Sequence, residues 1–278
     1  DSIGFSSLRP DDLQNRKHSM GRVIAVANQK GGVGKTTTAI NLAASLAANE
    51  FRILLLDMDP QGNCTTGMGI EKTPGMKTTY DVLMGRHGLV EALTPTEFDG
   101  LVLCPADKNL VAANLELVDQ EERESRLRKA IRPHRDEYHY TIIDCPPALD
   151  LLTLNGLVAA DTVLVPIQCE FFALEGISQL LDTIDRLRDS FQPNLGIEGV
   201  LLTMYDDRTN LTRQVATDLK DFFQEQVFET VIPRSIRLAE APSFGKPIIS
   251  YDPRSRGAES YIKLAKEIVQ NERRVQSA

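Results

Sequence analysis

The fold of this chain is decided by the stretch Asn28-Gln29-Lys30-Gly31-Gly32-Val33-Gly34-Lys35-Thr36-Thr37. An apolar run, residues 23–27, precedes it, and a helical pattern follows it as far as Asn49. A strand, a glycine loop and the start of a helix, in that order, are the context in which a phosphate-binding loop is expected. The glycines let backbone N–H groups turn towards an anion, and the start of the helix adds partial positive charge at the same point. We therefore predict a phosphate-binding loop here.

Two residues at the end of this loop carry its chemistry. Lys35 can reach the β and γ phosphates of a nucleotide, and the Thr36 hydroxyl is placed to hold a Mg²⁺ ion. The match to the pattern G-x-x-x-x-G-K-[ST] is imperfect, because Gln29 fills the first glycine position and Lys30 adds a cation at the lip of the loop. The residues predicted to bind the phosphates are Gly31, Gly32, Val33, Gly34, Lys35, Thr36 and Thr37.

Length and composition bound the domain organisation. A chain of 278 residues, of which 42% are hydrophobic, can form one large α/β domain or two small ones, and we favour one. We predict that it spans residues 20–278 and that residues 1–19, which are polar and lack a periodic pattern, form a flexible extension. No apolar run approaches the roughly 18 residues of a membrane-spanning helix, and no charged-then-apolar leader opens the chain. These features are typical of a soluble, cytoplasmic protein.

Charge is distributed unevenly along the chain. The net charge of -8 argues against nucleic-acid binding by the whole surface, but residues 203–278 carry a net charge of +1, which leaves -9 for residues 1–202. A local basic patch in the last third is therefore compatible with the sequence. The four cysteines are far apart and form no C-x-x-C pair, so we expect reduced, mostly buried thiols.

Apolar runs separated by polar loops predict the secondary structure. Strands are expected at residues 22–27, 51–57, 101–104, 138–144, 161–167, 199–204 and 227–232. Helices are expected at residues 35–49, 78–85, 109–131, 171–190 and 257–270, and after Arg208 with Leu211, Val215, Leu219 and Phe222 on one side. The apolar side of the 109–131 helix would contain Leu110, Leu115, Leu117, Leu127 and Ile131. This alternation predicts an α/β fold, a doubly wound, mostly parallel sheet flanked by helices.

Two of the predicted strands end in an acid. Asp57 ends an apolar run and is followed by the polar loop that contains Asp59, and Asp144 ends another before Cys145-Pro146-Pro147. Parallel sheets keep their ligands at the carboxyl ends of their strands. An acid in that position, in a chain with a phosphate loop, is a Walker B candidate. Asp57 and Asp59 could instead be ordinary loop caps or turn acids.

Four ordered motifs resemble the ParA/Soj chromosome and plasmid partition ATPases, which belong to the deviant Walker A (MinD/ParA) superfamily. The motifs are Lys30-Gly31-Gly32-Val33-Gly34-Lys35-Thr36-Thr37, Asp57-Met58-Asp59-Pro60-Gln61-Gly62-Asn63, Ile143-Asp144-Cys145-Pro146-Pro147, and the segment from Pro233-Arg234 through Glu240-Ala241-Pro242-Ser243-Phe244-Gly245-Lys246-Pro247. The resemblance extends from Arg22 to about Gln270. Only the N-terminal extension lies outside it.

The resemblance implies an ATP-dependent homodimer with two ATP molecules between the subunits. Lys30 of one subunit would reach the phosphates bound by the other, although an ordinary solvated loop lysine is the alternative. Asp59 would orient the attacking water, and Lys35 would complete the catalytic set. Thr36, Asp57 and Asp144 would hold Mg²⁺, the two acids through its water ligands. The family also suggests adenine contacts at Thr203, Met204, Pro233 and Arg234, with Glu170 near the ribose or near the partner's lysine.

Partition ATPases of this type bind double-stranded DNA without sequence preference. The positions that match best are Arg208 and Arg237, with Arg213, Lys220 and Lys246 as secondary candidates. Several acids lie close by in sequence, so an ordinary solvated surface is the alternative for these residues. The resemblance further implies a ParB-type centromere-binding partner that stimulates hydrolysis, and association with the nucleoid in the ATP-bound state.

Other functions require features that the sequence supports less well. A MinD-like ATPase, which positions a membrane or protein cargo, needs a C-terminal amphipathic helix with a large apolar face, and few apolar residues follow Val269. A small-molecule kinase or synthetase needs a second substrate site, and an iron protein needs a cysteine pair that shares a cluster. Neither is evident in the sequence.

Overall fold

A seven-stranded sheet forms the centre of the computed structural model, which describes residues 21–170 and 173–277. The strand order is β3-β4-β2-β5-β1-β6-β7, and neighbouring strands are parallel except for β3 and β4. The strands are β1 (Arg22–Val26), β2 (Ile53–Asp57), β3 (Thr94–Pro95), β4 (Leu101–Cys104), β5 (Tyr140–Asp144), β6 (Thr162–Gln168) and β7 (Gly196–Thr203). The predicted doubly wound, mostly parallel sheet is confirmed. The predicted extension at residues 1–19 lies outside the described residues.

Helices cover both faces of the sheet. They are α1 (Lys35–Ala47), α2 (Asn63–Gly67), α3 (Thr79–Leu83), α4 (Ala113–Glu116), α5 (Arg126–Ile131), α6 (Leu151–Ala159), α7 (Ala173–Ser190), α8 (Asn210–Phe223), α9 (Ile236–Glu240), α10 (Ile248–Tyr251) and α11 (Arg256–Ser277). Every residue of β2 is buried, and its side chains alternate between the two hydrophobic cores. Leu54 and Leu56 pack into one core, whereas Ile53 and Leu55 pack into the other. Because both faces of this strand are buried, its sequence is a continuous apolar run.

The last helix packs against the first. The Thr38 and Tyr261 hydroxyls lie 3.2 Å apart, which joins α1 and α11 at a fully buried point. The apolar residues of α11, from Ala258 to Val269, belong to the same core as α1. This packing supports the proposal that residues 20–278 form one domain. No helix in the described part of the chain is long and apolar enough to cross a membrane.

The single helix predicted at residues 109–131 is wrong. The segment contains two 3₁₀ turns, Lys108–Ala112 and Arg123–Ser125, besides the short helices α4 and α5. Leu115, predicted to be buried, is 76% exposed. A tertiary contact interrupts the helix. The Asn155 side chain accepts a hydrogen bond from the Leu127 N–H and donates one to the Arg123 carbonyl. Backbone groups that a continuous helix would use internally are thereby taken up by a distant side chain.

The strand predicted at residues 227–232 is also wrong. One isolated bridge, Val200 to Val227, and the N–H groups of Phe228 and Ile232, which donate to carbonyls of β7, join this segment to the sheet without forming a continuous strand. The N–H groups of Glu229 and Thr230 instead donate to the carboxylate of Glu267 in α11, at 2.7 and 3.0 Å. A side chain thus satisfies the donors that a strand would give to its neighbour.

The predicted apolar side of α8 is confirmed in its middle, where Val215 and Leu219 are buried, and is wrong at its two ends. Leu211 and Phe222 are exposed, at 48% and 65% of their surfaces. The buried residues are Thr212, Val215, Ala216, Leu219 and Phe223. Thr212 is tolerated there because its hydroxyl pairs with that of Thr209, the residue before the helix, at 2.8 Å.

Candidate nucleotide site

The glycine loop lies between the carboxyl end of β1 and the start of α1. Gly32 and Gly34 adopt left-handed conformations, with φ of 75° and 90°, which a side chain would disfavour. The Asn28 side chain anchors the loop, since its amide donates to the Pro166 carbonyl at 2.8 Å and its oxygen accepts from the Lys30 N–H at 3.0 Å. Gly34 has no side chain to cap α1, so a bound anion can take that place.

A cavity of about 670 Å³ opens in front of this loop. It brings together most residues that the sequence predicted to contact the nucleotide: Gly31, Gly32, Gly34, Lys35, Thr36, Thr37, Asp59, Thr203, Met204, Pro233 and Arg234. Val33 is buried behind the loop, where its carbonyl accepts from the Thr203 hydroxyl at 2.8 Å. That bond ties the loop to the end of β7. Segments about 170 residues apart thus form one wall.

Sequence reasoning missed other residues of this wall: Gln61, Asn63, Pro147, Ile232, Ser235, Ile236, Leu238, Ala239 and Tyr261. Gln61 and Asn63 had a signal, because they lie in the polar loop after β2. The apolar members, such as Leu238 and Tyr261, come from segments that only the fold brings to the loop. An apolar surface beside a phosphate loop suits the base of a nucleotide.

Lys35 is almost fully buried beneath the loop. Its ammonium donates to the Lys30 carbonyl at 2.9 Å. Burial lowers the pKa of Lys35, and the nearby Asp144 carboxylate opposes that effect. A buried ammonium with so little solvent is stabilised by an anion, and a phosphate group at the loop would supply one.

Asp57 is held from several directions at the end of β2. Its carboxylate accepts from the Thr65 N–H at 2.8 Å, from the Thr65 hydroxyl at 2.6 Å and from the Asp59 N–H at 3.1 Å. Burial raises the pKa of Asp57 to about 6, and the two bonds from Thr65 act in the opposite direction. This carboxylate is thus fixed in place and faces the other acids of the site.

Asp144 is fully buried at the end of β5, beside Asp57 in the register of the sheet. Among the described residues, neither of its carboxylate oxygens has a hydrogen-bond partner. Burial raises the pKa of Asp144 well above its usual range, and the Asp57 charge adds to this effect, whereas the Thr36 hydroxyl and the Lys35 ammonium act in the opposite direction. An unpaired buried carboxylate is costly, so the site fits a hard cation such as Mg²⁺.

The donor set suits a cation that keeps most of its water. In the described part of the chain, no three His, Cys, Asp or Glu side chains are grouped so that they could hold a metal ion by themselves. Mg²⁺ commonly binds through one or two carboxylates, phosphate oxygens and water. Thr36, Asp57 and Asp144, which the sequence predicted as the metal site, could hold it directly or through water.

Lys30 behaves differently from the rest of the loop. Its ammonium lies 2.6 Å from the Glu170 carboxylate, and both side chains are partly exposed. Neither residue lines the cavity of its own chain. Glu170, predicted near the ribose or the partner's lysine, here contacts the lysine of the same chain.

The predicted DNA-binding residues all lie on the surface of the protein. Arg208 is 83% exposed and pairs with Asp206 at 2.6 Å, and Arg237 pairs with Glu240 at 3.3 Å and Asp252 at 3.6 Å. The secondary candidates Arg213, Lys220 and Lys246 are all exposed. A second cavity, of about 570 Å³, is lined by Arg208 and Arg234 together with Arg256, which sequence reasoning missed. Arg208, one of the two best candidates, therefore lies close to Arg234, which also lines the nucleotide cavity.

Comparisons with known proteins agree with this geometry. The family model described as AAA domain matches residues 21–197. The chromosome partitioning protein ParA of Myxococcus xanthus is 54% identical over 254 residues, which cover 91% of this chain and 90% of that protein. The sporulation initiation inhibitor protein Soj of Bacillus subtilis is 52% identical over 252 residues, covering 91% of this chain and 100% of that protein.

A solved structure supports the nucleotide site. The cobyrinic acid a,c-diamide synthase of Mycobacterium smegmatis, with bound ADP and magnesium, has a TM-score of 0.80 and 37% sequence identity. The match covers 91% of this chain and 96% of that one. That structure has a similar fold, and the ADP and magnesium bound to it are the kinds of ligand that the cavity described above could hold.

Proposed function

Because this chain belongs to the ParA/Soj family of chromosome-partitioning ATPases, we propose that ATP converts it from a form that does not bind DNA into a dimer that does. The chain is an ATPase that uses ATP and Mg²⁺. In the proposed cycle, two subunits close on two ATP molecules and bind double-stranded DNA of any sequence on the nucleoid. Hydrolysis releases the DNA, and a ParB-type centromere-binding protein accelerates it.

The position of Lys30 carries the proposal. This lysine belongs to the phosphate loop, yet it points to Glu170 and does not line the cavity of its own chain. A partly exposed cation at the lip is available to a second subunit that faces the loop. A positive charge supplied across an interface stabilises the charge that develops on the phosphate oxygens, and makes hydrolysis depend on dimerisation.

Thr36, Asp57 and Asp144 would hold Mg²⁺, which would supply positive charge to offset the negative charge of the nucleotide phosphates. Asp57 is held rigidly by Thr65, so it can accept from a water of the ion without moving. Asp144 has both oxygens available and lies beside Asp57. Lys35 would place its ammonium against the same phosphates.

Asp59 is the proposed water-orienting residue. It lines the cavity and is largely buried. Its carboxylate accepts from the Gln61 N–H at 2.9 Å, and its carbonyl accepts from the Gly62 N–H at 2.8 Å. Both its side chain and its backbone are thus fixed by the same turn, which suits a group that must hold a water in line with the γ phosphate.

The far wall of the cavity is the proposed adenine site. Met204 has a φ of 48°, so the chain turns sharply at the end of β7. The Tyr205 N–H then donates to the Ile232 carbonyl at 2.9 Å, and the Arg234 N–H donates to the Tyr205 carbonyl at 3.2 Å. These bonds hold Pro233 beside Met204, and the two form an apolar surface for the base.

The proposal is tested by comparing Asp59→Ala with Lys30→Ala in the presence of Mg²⁺ and ATP. Asp59→Ala should bind ATP and dimerise but lose turnover, and Lys30→Ala should lose the ATP dimer itself. Sedimentation velocity measures the dimer fraction, and phosphate release measures turnover. A Lys30→Ala protein that dimerises fully with ATP would remove the cross-subunit role of Lys30.

A further inference from the structure

Lys72 lies across the outside of the turn that follows β2. Its ammonium donates to the Gln61 carbonyl at 2.8 Å. A Cβ atom on Gly62 would overlap that ammonium nitrogen and the backbone oxygen of Ala106, and would lie 2.6 Å from the Lys72 Cε atom. The lysine side chain therefore packs directly against the glycine of the turn.

This turn supplies three side chains to the nucleotide cavity: Asp59, Gln61 and Asn63. The Gln61 and Gly62 N–H groups both donate to Asp59, one to its carboxylate and one to its carbonyl. The Gln61 carbonyl and the Gly62 N–H belong to one peptide unit, so a displacement of that unit disturbs the bond to the Asp59 carbonyl and, through the adjoining Gln61 N–H, the position of the Asp59 carboxylate.

The two sides of the turn are held in different ways. On the inner side, the Thr65 hydroxyl donates to Asp57 at 2.6 Å and accepts from the Ala106 N–H at 2.9 Å, and all three groups are buried. On the outer side, the bond from Lys72 to Gln61 is exposed to solvent. The inner side fixes where the loop leaves β2, and the outer side fixes where its tip lies.

We propose that Lys72 is a positioning residue for ATP hydrolysis, which holds the tip of the turn so that Asp59 can orient the attacking water. This inference assumes the role of Asp59 in the proposed function. Lys72 is absent from the described residues that line the cavity, so it acts through the Gln61 carbonyl and makes no contact with the nucleotide. Without it, water takes over the exposed carbonyl and the turn samples positions in which Asp59 is misplaced.

The chain offers a matched control on the same loop. Lys77 follows Lys72 by five positions and is likewise partly exposed, but it pairs with Glu91 at 2.7 Å. Its removal takes away the same charge from the same loop and leaves the Gln61 carbonyl bonded. A difference between Lys72→Ala and Lys77→Ala therefore reports the bond to the turn.

The experiment measures steady-state hydrolysis of MgATP by the full chain without DNA or partner, for Lys72→Ala, Lys72→Arg and Lys77→Ala. Lys72→Ala should lower kcat by about three- to tenfold and leave KM within about twofold, because positioning acts on the chemical step. Lys72→Arg should recover most of kcat, since a guanidinium can reach the same carbonyl. Lys77→Ala should match the wild type, and all variants should show the same melting temperature and the same dimer fraction with a non-hydrolysable ATP analogue.

Three results would overturn the inference. The first is a kcat of Lys72→Ala equal to that of Lys77→Ala. The second is a raised KM at unchanged kcat, which would make Lys72 a nucleotide contact, and the third is a reduced dimer fraction, which would make it an interface residue. Asp59→Ala, assayed in parallel, separates the two claims. If it is inactive while Lys72→Ala is normal, only the role of Lys72 fails; if it retains full turnover, the proposed role of Asp59 fails and this inference with it.

Discussion

Gly69 and Gly245 pack backbone against backbone. A Cβ atom on Gly245 would lie 2.6 Å from the Cα of Gly69 and 3.1 Å from its nitrogen, and both glycines have positive φ, 76° and 64°. Gly69 follows the turn that carries Asp59 and the short helix α2, whereas Gly245 lies between Arg237 and Lys246 of the proposed DNA surface. The segment that follows α2 and the segment between Arg237 and Lys246 thus meet at a contact too close for any side chain.

Replacing Gly245 by alanine should be strongly destabilising for this reason. A positive φ costs an alanine about 1–2 kcal/mol, and the overlap with Gly69 adds about 1–3 kcal/mol. Gly75→Ala is the matched control, because Gly75 has a φ of 84° but a Cβ there would meet no atom of the described residues within 4 Å. Urea denaturation should show the larger loss for Gly245→Ala, and equal losses would mean that the contact adjusts freely.

Replacing Asp144 by asparagine should stabilise the protein in the absence of nucleotide. The substitution removes a buried charge and its repulsion with Asp57, which together outweigh the lost attraction to Lys35 and Thr36, and we expect a net gain of about 1–2 kcal/mol at pH 8. The same variant should lose most of the additional rise in melting temperature that Mg²⁺ gives over ATP alone. Asp119→Asn, which changes an exposed carboxylate, should alter neither quantity. A less stable Asp144→Asn protein with a normal Mg²⁺ response would contradict the metal assignment.

Glu170 should compete with the partner subunit for Lys30. The two side chains lie 2.6 Å apart and are partly exposed, so their ion pair is worth about 0–1 kcal/mol. In an Asp59→Ala background that retains ATP, Glu170→Gln should therefore raise the association constant of the dimer by up to about fivefold. Sedimentation across a concentration series gives that constant. A weaker dimer would instead place Glu170 in the contact between subunits.

Arg237 and Arg208 should contribute to DNA affinity without sequence preference. If each neutralises one phosphate, its replacement by alanine should reduce the slope of log affinity against log salt by about 0.9 and weaken binding to every duplex alike. Arg52 is exposed at the amino end of β2, away from the nucleotide loop, so Arg52→Ala is the control. Fluorescence anisotropy at several salt concentrations measures both quantities. An unchanged slope would leave the two arginines as the ordinary ion-paired surface residues of the alternative interpretation.

The sheet could be predicted because its signals are local. The run that ends at Asp57 is apolar throughout, since β2 is buried on both faces, and β5 repeats the pattern up to Asp144. The phosphate loop was evident for a similar reason, because its glycines and Lys35 are adjacent in sequence. Functional residues that are adjacent in the chain form a motif that can be recognised from the sequence alone.

The features that the sequence failed to predict depend on contacts between residues far apart in the chain. The helix expected at 109–131 is interrupted because Asn155 takes its backbone groups, and the strand expected at 227–232 is diverted by Glu267. The apolar part of the cavity wall includes Tyr261, more than 200 residues from the loop. No pattern within those segments reports the distant partner, so local reasoning could only extend the regular structure it found.

The ATP switch is tested by binding to a random-sequence DNA duplex at fixed salt, without nucleotide, with ADP and with ATP, together with the dimer fraction in each sample. We expect DNA to be bound only where ATP has formed dimers, and Lys30→Ala to bind in none of the three conditions. Dimers that form with ATP and ignore DNA, or binding that is equal in all three conditions, would contradict the ATP switch.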